Sequence, residues 1–379
     1  MATTLFALFA FLALYSFVVY PPVLALLAAL FGRASRADEA HTPTVSVLIP
    51  AYNESEVIEA KIRNTLELDY PRSRIEILVA SESDDATDGI VLGFAEQGVR
   101  LLPSQVRRGK VANLNRAVPE SRGEILLLTD ANALLEPAAL RRLVRHFADE
   151  RIGSVSGRLA YANPAGSGAG ASEGLYWSME QIIKRASSRL FSLPGANGSI
   201  FAVRRTCYRP IAEDRGDDFE IPIRCIVDGH GSILESSAVS VEEATGGFVQ
   251  EYRRKVRIIN WMLASALILL REAAARGRWL LVFQLLSHKI NRWALPVWLA
   301  GLLVSNLFLL GDGWLYKAGA AAQIMVYLVS GLFLVVDRRV APLKGLMGVP
   351  AYFLVVNAAS LVGILTCVLG REVRWHRTR

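Results

Sequence analysis

In the stretch Glu124-Ile-Leu-Leu-Leu-Thr-Asp-Ala-Asn132 an apolar run ends in a carboxylate, and an amide follows two residues later. At a strand's carboxyl end the chain leaves the sheet, so Asp130 and Asn132 can face a crevice that takes a divalent cation and a ligand's phosphates. Three other segments share this strand-then-polar pattern or supply a helix start: Val45-Ser-Val-Leu-Ile-Pro-Ala-Tyr-Asn-Glu54; Ile75–Ala80 followed by Ser81-Glu-Ser-Asp-Asp-Ala-Thr-Asp-Gly89; and Gly109-Lys-Val-Ala-Asn-Leu-Asn-Arg-Ala117. In the last, Lys110 stands at a helix N-terminus, where an ammonium and free N–H groups suit phosphate. Downstream, Asp217-Asp-Phe-Glu-Ile-Pro-Ile-Arg224 opens another helix with paired carboxylates. Each segment alone also has an ordinary reading: a solvated turn for Asp130, an N-capped acidic turn for Asp84 to Asp88, a surface side chain for Lys110, and dipole-stabilised acids for Asp217 and Asp218.

Taken in order, these segments resemble the nucleotide-binding half of family 2 glycosyltransferases, and the resemblance covers roughly Val45–Trp293. It implies an α/β, GT-A fold, Rossmann-like, with a mainly parallel sheet and helices on both faces. It implies inverting transfer of a sugar from a nucleotide-diphosphate sugar to a saccharide or lipid-linked acceptor, with Mg²⁺ or Mn²⁺ as cofactor. Asp130 and Asn132 then stand in the D-x-D position as metal ligands, Asn132 replacing an Asp and keeping an amide oxygen as donor. Pro50, Ala51, Tyr52 and Glu54 line the donor site, Asp84 reads the base, usually uracil in this family, so that a UDP-linked donor is expected, and Lys110 and Asp130 meet the diphosphate. Asp218 falls where membrane synthases carry their general base, a role that requires a shifted pKa and hydrogen-bond reach to the acceptor hydroxyl. Asp217, with Gly195, Ala196 and Asn197 of Leu193-Pro-Gly-Ala-Asn-Gly-Ser199, falls on the acceptor side. Arg254 and Arg257 lie where polymerising members carry Q-x-x-R-W, which implies donor binding through a clamp on the diphosphate, with a basic interfacial helix touching anionic lipid as the alternative. Aligned on Arg257, that motif's Gln slot holds Arg254 and its Trp slot Ile258, with Trp261 a turn away. The family's Asp-Gly-Ser-Thr-Asp is here Asp84-Asp-Ala-Thr-Asp88.

The elements around these residues follow from hydrophobic period. Runs Val45–Ile49, Ile75–Ala80, Val99–Leu102 and Ile125–Leu128 alternate with helical patterns Glu56–Leu68, Asp88–Gln97 and Lys110–Val118, which argues for a parallel sheet covered by helices. Further on we expect helix Pro137–Ala148, strand Gly153–Ala160, a loop Pro164–Ser172, helix Glu173–Leu190, strand Ser199–Val203, helix Asp218–Asp228 and strands near Ile233 and Val239.

Of the 379 residues 52% are hydrophobic, and the excess is unevenly placed. Met1 to Gly32 has no charged side chain and exceeds the roughly 20 residues of a spanning helix. It lacks the basic start and cleavage site of a signal peptide, so a retained anchor is expected, with a cleaved signal as the alternative. Trp293–Gly311, Ala318–Val336 and Gly345–Gly370 are also uncharged and near spanning length, while Ile258–Leu270 is too short to span comfortably. The domains expected are an anchor (1–32), a cytosolic GT-A domain (40–257), interfacial amphipathic helices (258–292), transmembrane helices (293–370) and a basic tail (371–379). The parity of these spans sets Asp337–Lys344 inside, as its charges favour, and Arg371–Arg379 outside, which its charges oppose.

Net charge +7 reflects Arg and Lys beside apolar segments, such as Arg33, Arg36, Arg276, Arg278 and Arg292. That placement fits the positive-inside rule and membrane lipids as partners, not a nucleic-acid groove. Cys207, Cys225 and Cys367 show no metal-ligand spacing and read as reduced packing residues, in keeping with an integral inner or plasma membrane protein whose main domain is cytosolic. Three functions stay open: a synthase of cell-surface polysaccharide, a single-sugar transferase acting on a polyprenyl-linked acceptor, and an inactive relative serving as membrane scaffold or transporter.

Overall fold

The computed structural model describes residues 1–162, 170–243, 248–336 and 344–370. Its strands are β1 (Val45–Ala51), β2 (Ile75–Ser81), β3 (Val99–Pro103), β4 (Ile125–Leu128), β5 (Leu134–Leu135), β6 (Ile152–Tyr161), β7 (Phe201–Arg204) and β8 (Gly231–Glu242). They form one sheet in the order β3-β2-β1-β4-β7-β6-β8-β5. Val45 of β1 pairs in parallel with Ile75 of β2 and Ile125 of β4. The chain steps from β1 outward to β3 on one side and returns as β4 on the other. The carboxyl ends of β1 and β4 therefore flank the switch point at which α/β sheets bind ligands.

The apolar runs at β1, β2 and β4 are buried on both faces, as parallel strands under two helical layers must be. Val45, Val47 and Ile49 join the core under helix Ile58–Leu66, and Leu48 joins the core under helices Lys110–Glu120 and Asp217–Val227. The parallel expectation holds through β4. Beyond it the sheet is mixed, because β7 runs antiparallel to both β4 and β6. The two strands expected near Ile233 and Val239 are one strand, β8, whose pairing with β6 shifts register between Ser156 and Arg158. Helix Pro137–Ala148 is an α-helix Ala139–Val144 ending in a 3₁₀ turn Arg145–Ala148, and strand Ser199–Val203 starts at Phe201. Most of the loop expected at Pro164–Ser172 lies outside the described residues, as do 337–343 of the Asp337–Lys344 segment and the basic tail, and the helix expected from Glu173 starts at Gly170.

Among the described residues four helices are long and apolar enough to cross a membrane: Ala2–Phe31, Tyr252–Ala275, Trp314–Leu332 and Pro350–Val368. In the first, a π-helical turn Tyr15–Val19 precedes the Pro21-Pro22 pair and the helix continues through it. The span expected at Trp293–Gly311 differs. Its helix Leu295–Leu307 has 13 residues, about 20 Å at 1.5 Å per residue, against the roughly 30 Å of a bilayer's apolar core. It packs along Ala2–Leu14, with Phe9 stacked on Trp298 and set against Gly301, where a Cβ would come within 2.7 Å of the ring.

The run Ile258–Leu270 is part of a longer helix, Phe248–Ala275. Although Tyr252–Ala275 has the length and composition of a span, its second half is tied to the sheet domain. Ser265 Oγ donates to Glu220 Oε2 at 2.8 Å, Arg224 pairs with Glu272 at 3.3 Å, and Arg276 bonds Asp228. Ala266, Leu269 and Ala273 pack on Ile223, Ile226 and Val227 of helix Asp217–Val227. The second half of the helix thus lies against the domain, while its first half packs on the last apolar helix, with Asn260 Nδ2 donating to Thr366 Oγ1 at 3.0 Å and Ile259 set against Gly363.

Candidate active site

The site forms where β1, β2 and β4 end. Pro50 and Ala51 close β1, and the turn after them is stitched to the turn after β2. Asn53, at φ 54°, donates from Nδ2 to Asp84 Oδ1 at 2.6 Å and accepts from the Asp84 amide at 3.0 Å. The amides of Asn53 and Glu54 donate to Ser83 Oγ and Thr87 Oγ1, both at 2.9 Å. Asp84 stays exposed with one oxygen committed to Asn53. Arg107, absent from the sequence expectations, lies over the Tyr52 ring at 3.9 Å and brings a guanidinium to the wall that follows β1.

Lys110 is central. Gly109, at φ 102°, turns the chain into helix Lys110–Glu120, and Glu82 Oε2 accepts from the amides of Arg108 and Gly109 at 3.0 and 2.8 Å. The Lys110 ammonium then bridges Asp130 Oδ1 at 2.8 Å and Asp217 Oδ2 at 3.0 Å. Residues of three separate segments therefore share one cation. Burial opposes that charge, but Asp130, Asp217 and Asp218 more than offset it and hold the ammonium well above the usual lysine range.

Beneath the Asp130-Ala-Asn132 turn lies a residue that the motifs do not mark. Lys61 is fully buried, and its ammonium donates to Thr129 Oγ1 at 2.7 Å and the Ala133 carbonyl at 2.5 Å. Burial lowers it to about 7, partly offset by the charges of Asp130 and Glu242. Glu242, at the end of β8, is the second unmarked residue. Burial and then Asp130 push it up to about 7, while Lys110, Arg254 and Lys61 act in the other direction. Among the described residues no group of three His, Cys, Asp or Glu side chains is arranged to hold a metal. The donor set is Asp130 and the half-buried Asn132 amide, with Glu242 close enough to sense Asp130. So few protein oxygens fit a hard cation that takes its remaining ligands from phosphates and water.

On the other side of Lys110, Asp217 and Asp218 open helix Asp217–Val227. Asp217 is buried, and the Asp218 backbone carbonyl accepts from the Ala196 amide at 2.6 Å. Gly198 and Gly216 leave room for the Asp218 carboxylate, since a Cβ at either would sit 3.3 Å from one of its oxygens. Burial, and then Asp217, push the Asp218 acid up to about 6, against the pull of Lys110. Asn197 is held by its amide's bond to Ser156 Oγ at 3.0 Å, and Gly195 takes φ 123°. Gly195, Ala196 and Asp218 share a cavity walled on the far side by helix Gly170–Arg189 and by His288 and Lys289, and Asn197 lies outside its lining. The two basic residues before the apolar helices part company: Arg254 is within electrostatic reach of Glu242, whereas Arg257 lies over the Trp261 ring at 5.5 Å.

Residues 46–211 match the family model for glycosyl transferase family 2. The chain is 28% identical over 254 residues to a probable glycosyltransferase, YdaM, of Bacillus subtilis, covering 63% of this chain and 59% of that protein. It is 34% identical over 126 residues to a beta-monoglucosyldiacylglycerol synthase of Trichormus variabilis, covering 32% of this chain and 27% of that protein. The chain thus spans less than two thirds of the first relative's length and about a quarter of the second's. Among solved structures, the mannosyltransferase PcManGT of Pyrobaculum calidifontis, in complex with GDP-Man and Mn²⁺, superposes with a TM-score of 0.72 over 98% of this chain and all of that one, at 21% identity. The fold is GT-A.

Proposed function

We propose, from the premise that this chain carries a family 2 glycosyltransferase domain, that it moves a sugar from a nucleotide-diphosphate sugar to an acceptor hydroxyl at a membrane, with inversion. The observation that carries this reading is the Lys110 bridge, which sets donor-side Asp130 and acceptor-side Asp217 within reach of one cation. A reaction that breaks a sugar–phosphate bond while deprotonating an incoming hydroxyl needs such a junction.

The residues divide the work. Tyr52, Arg107 and Asp84 line the nucleoside end, with Pro50, Ala51 and Glu54 shaping the wall. Lys110 and the free amides of its helix N-terminus face the diphosphate, and Arg254 adds charge from the membrane side. A divalent cation would be held by Asp130 and Asn132, with Glu242 beside them, and supplies further positive charge against the departing diphosphate. Asp218 takes the acceptor proton as the acceptor oxygen bonds to the anomeric carbon and the bond to the diphosphate oxygen breaks. Asp217, Gly195, Ala196 and Asn197 hold the acceptor side. Mn²⁺ and a nucleotide-mannose in the PcManGT complex support a metal and a donor of this class.

We read 1–32 as an anchor, 40–257 as the catalytic domain, 258–292 as helices at the membrane surface and 293–370 as the membrane bundle, with the catalytic domain on the cytosolic side. The basic residues Arg33, Arg36, Arg276 and Arg278 at the domain's junctions support that side. Both a polysaccharide and a glycolipid product fit. The glycolipid reading gains from the cavity beside Asp218, whose walls include Met262 and Lys289 of the helical layer, and from the relative named for monoglucosyldiacylglycerol synthesis. The test is a panel of nucleotide sugars, scored for released nucleotide with wild type and Asp218→Asn. One donor should support turnover in wild type, and the variant should lose at least a few orders of magnitude. No turnover of any donor in detergent and native lipid would leave the inactive-scaffold reading in its place.

A further inference from the structure

The cavity beside Asp218 is about 120 Å³, several times the ~15 Å³ that one water needs by that measure, so it can admit a small headgroup. Its wall has an unbalanced set of charges. Glu180 is satisfied by Arg292 at 2.9 Å and lies 3.4 Å from His288, and these partners hold it well below the usual carboxylate range despite burial. The other carboxylate is Asp218 itself. Against them stand Lys184 and Lys289, neither of which makes an ion pair within 4.0 Å among the described residues. Lys289 instead lies 5.9 Å from the Phe219 ring. Burial lowers Lys289 to about 8, with Glu180 opposing that shift, so it remains mostly protonated near neutrality.

Glu180 and Asp218 are felt by Lys289 only at a distance, and neither half-buried ammonium has a carboxylate in ion-pair contact among the described residues, so an anionic ligand seated between them would supply the close partner that each lacks there. The position of the cavity limits how that ligand arrives. Met262 belongs to the long apolar helix Phe248–Ala275, and Lys289 belongs to the helical segment that runs on into Leu295–Leu307. Tyr15 and Ser16 of the N-terminal apolar helix hydrogen-bond to Ser287 beside it. The cavity therefore lies at the junction between the sheet domain and the apolar helices, where a lipid headgroup can reach it while its chains remain among those helices.

We propose that the acceptor is an anionic lipid: its free hydroxyl faces Asp218, and its phosphate group is held by Lys184 and Lys289. This rests on the reading of Asp218 as the acceptor-side base. The transfer step balances as before, with the hydroxyl proton passing to Asp218 and the lipid phosphate unchanged.

The experiment measures binding and transfer separately on the purified full chain in neutral detergent. The probes are short-chain phosphatidylglycerol, which has both a hydroxyl and a phosphodiester, the matching neutral diacylglycerol, and water-soluble glycerol 3-phosphate. Phosphatidylglycerol should bind at least tenfold more tightly than diacylglycerol. Lys184→Gln with Lys289→Gln should abolish that preference, and Lys184→Arg with Lys289→Arg should restore it, which separates charge from folding. Glycerol 3-phosphate should compete only weakly, since it lacks the chains that the apolar helices hold. With an active donor, the sugar should appear on phosphatidylglycerol, and the Gln variants should raise KM for it far more than they lower kcat. Equal binding of the charged and neutral lipids, a preference that survives the double Gln variant, glycerol 3-phosphate binding as well as the lipid, or transfer to diacylglycerol alone would overturn the proposal. Loss of all donor turnover with the lipid preference intact would count against the transferase reading instead.

Discussion

If Asp218 is the base, the pH dependence of turnover should report its setting. Its acid is raised from 3.8 to about 6, first by burial and then by Asp217, with Lys110 opposing. That shift corresponds to about 3 kcal/mol in favour of the neutral acid. A base with this pKa is about nine-tenths ionised at pH 7 and about one-tenth ionised at pH 5, so kcat/KM should fall roughly tenfold across that interval. A carboxyl left at 3.8 would lose less than about a tenth of its ionised fraction over the same range. Asp217→Asn removes a like charge and should move the acid limb to lower pH, flattening the pH 5 to 7 interval. Lys110→Met removes an opposite charge and should move the limb up, on top of any loss of donor affinity. The two carboxylates are adjacent, so the limb belongs to the pair, and the sign of each displacement is the informative quantity. The assay is nucleotide release at low substrate across pH 4.5–8, with donor binding checked at each end. A wild-type profile flat from pH 5 to 7, or a limb that Asp217→Asn leaves in place, would refute the assignment.

Other outcomes follow from the same geometry. Asn132→Asp should retain activity and lower the metal concentration needed for half-maximal rate, whereas Asp130→Ala should abolish metal-dependent donor binding; full activity in a chelator would remove the metal from the account. The Lys61 ammonium is held at about 7 when folded against 10.5 in its unperturbed state. The unfolded chain therefore binds more protons between those values, and stability should rise with pH across them. Lys61→Met should lessen that rise, as read by thermal inactivation at pH 7 and 9, and an unchanged slope would contradict it. Arg254→Ala should lower both kcat and kcat/KM, because Arg254 faces the Glu242 side of the site. Arg257→Ala, which removes the charge over the Trp261 ring, should mainly weaken association with anionic vesicles; equal loss of turnover in both variants would put both arginines in the site.

What could be read from the sequence follows a physical division. β1, β2 and β4 were legible because each is an apolar run ending in a polar group, and parallel strands buried on both faces leave that signature. The Asp130, Lys110 and Asp217–Asp218 segments were legible because each sits at the end of such a run or at a helix start. That Lys110 joins two of them is a long-range contact no local pattern encodes. Lys61 carries a signal in its spacing: with Ile58, Ile62 and Thr65 it lies on the buried face of its helix, and a lysine at apolar spacing must find internal oxygens. Glu242 had none, since β8 brings it to the site only through pairing with β6 and β5. The extent of helix Phe248–Ala275 was hidden by Tyr252–Arg257, whose charges made the apolar run look short. Its place along the domain depends on Glu220, Arg224 and Asp228, far away in sequence.

The central claim is a single displacement at the anomeric carbon with Asp218 as base, and the anomeric configuration of the product tests it most directly. Using the donor that the panel identifies, the glycosidic linkage formed by wild-type enzyme should be read by proton NMR coupling at C1. An α-linked nucleotide sugar should yield a β-glycoside, and Asp218→Asn should yield none above background. An α-glycoside, or wild-type rates from Asp218→Asn, would contradict the account.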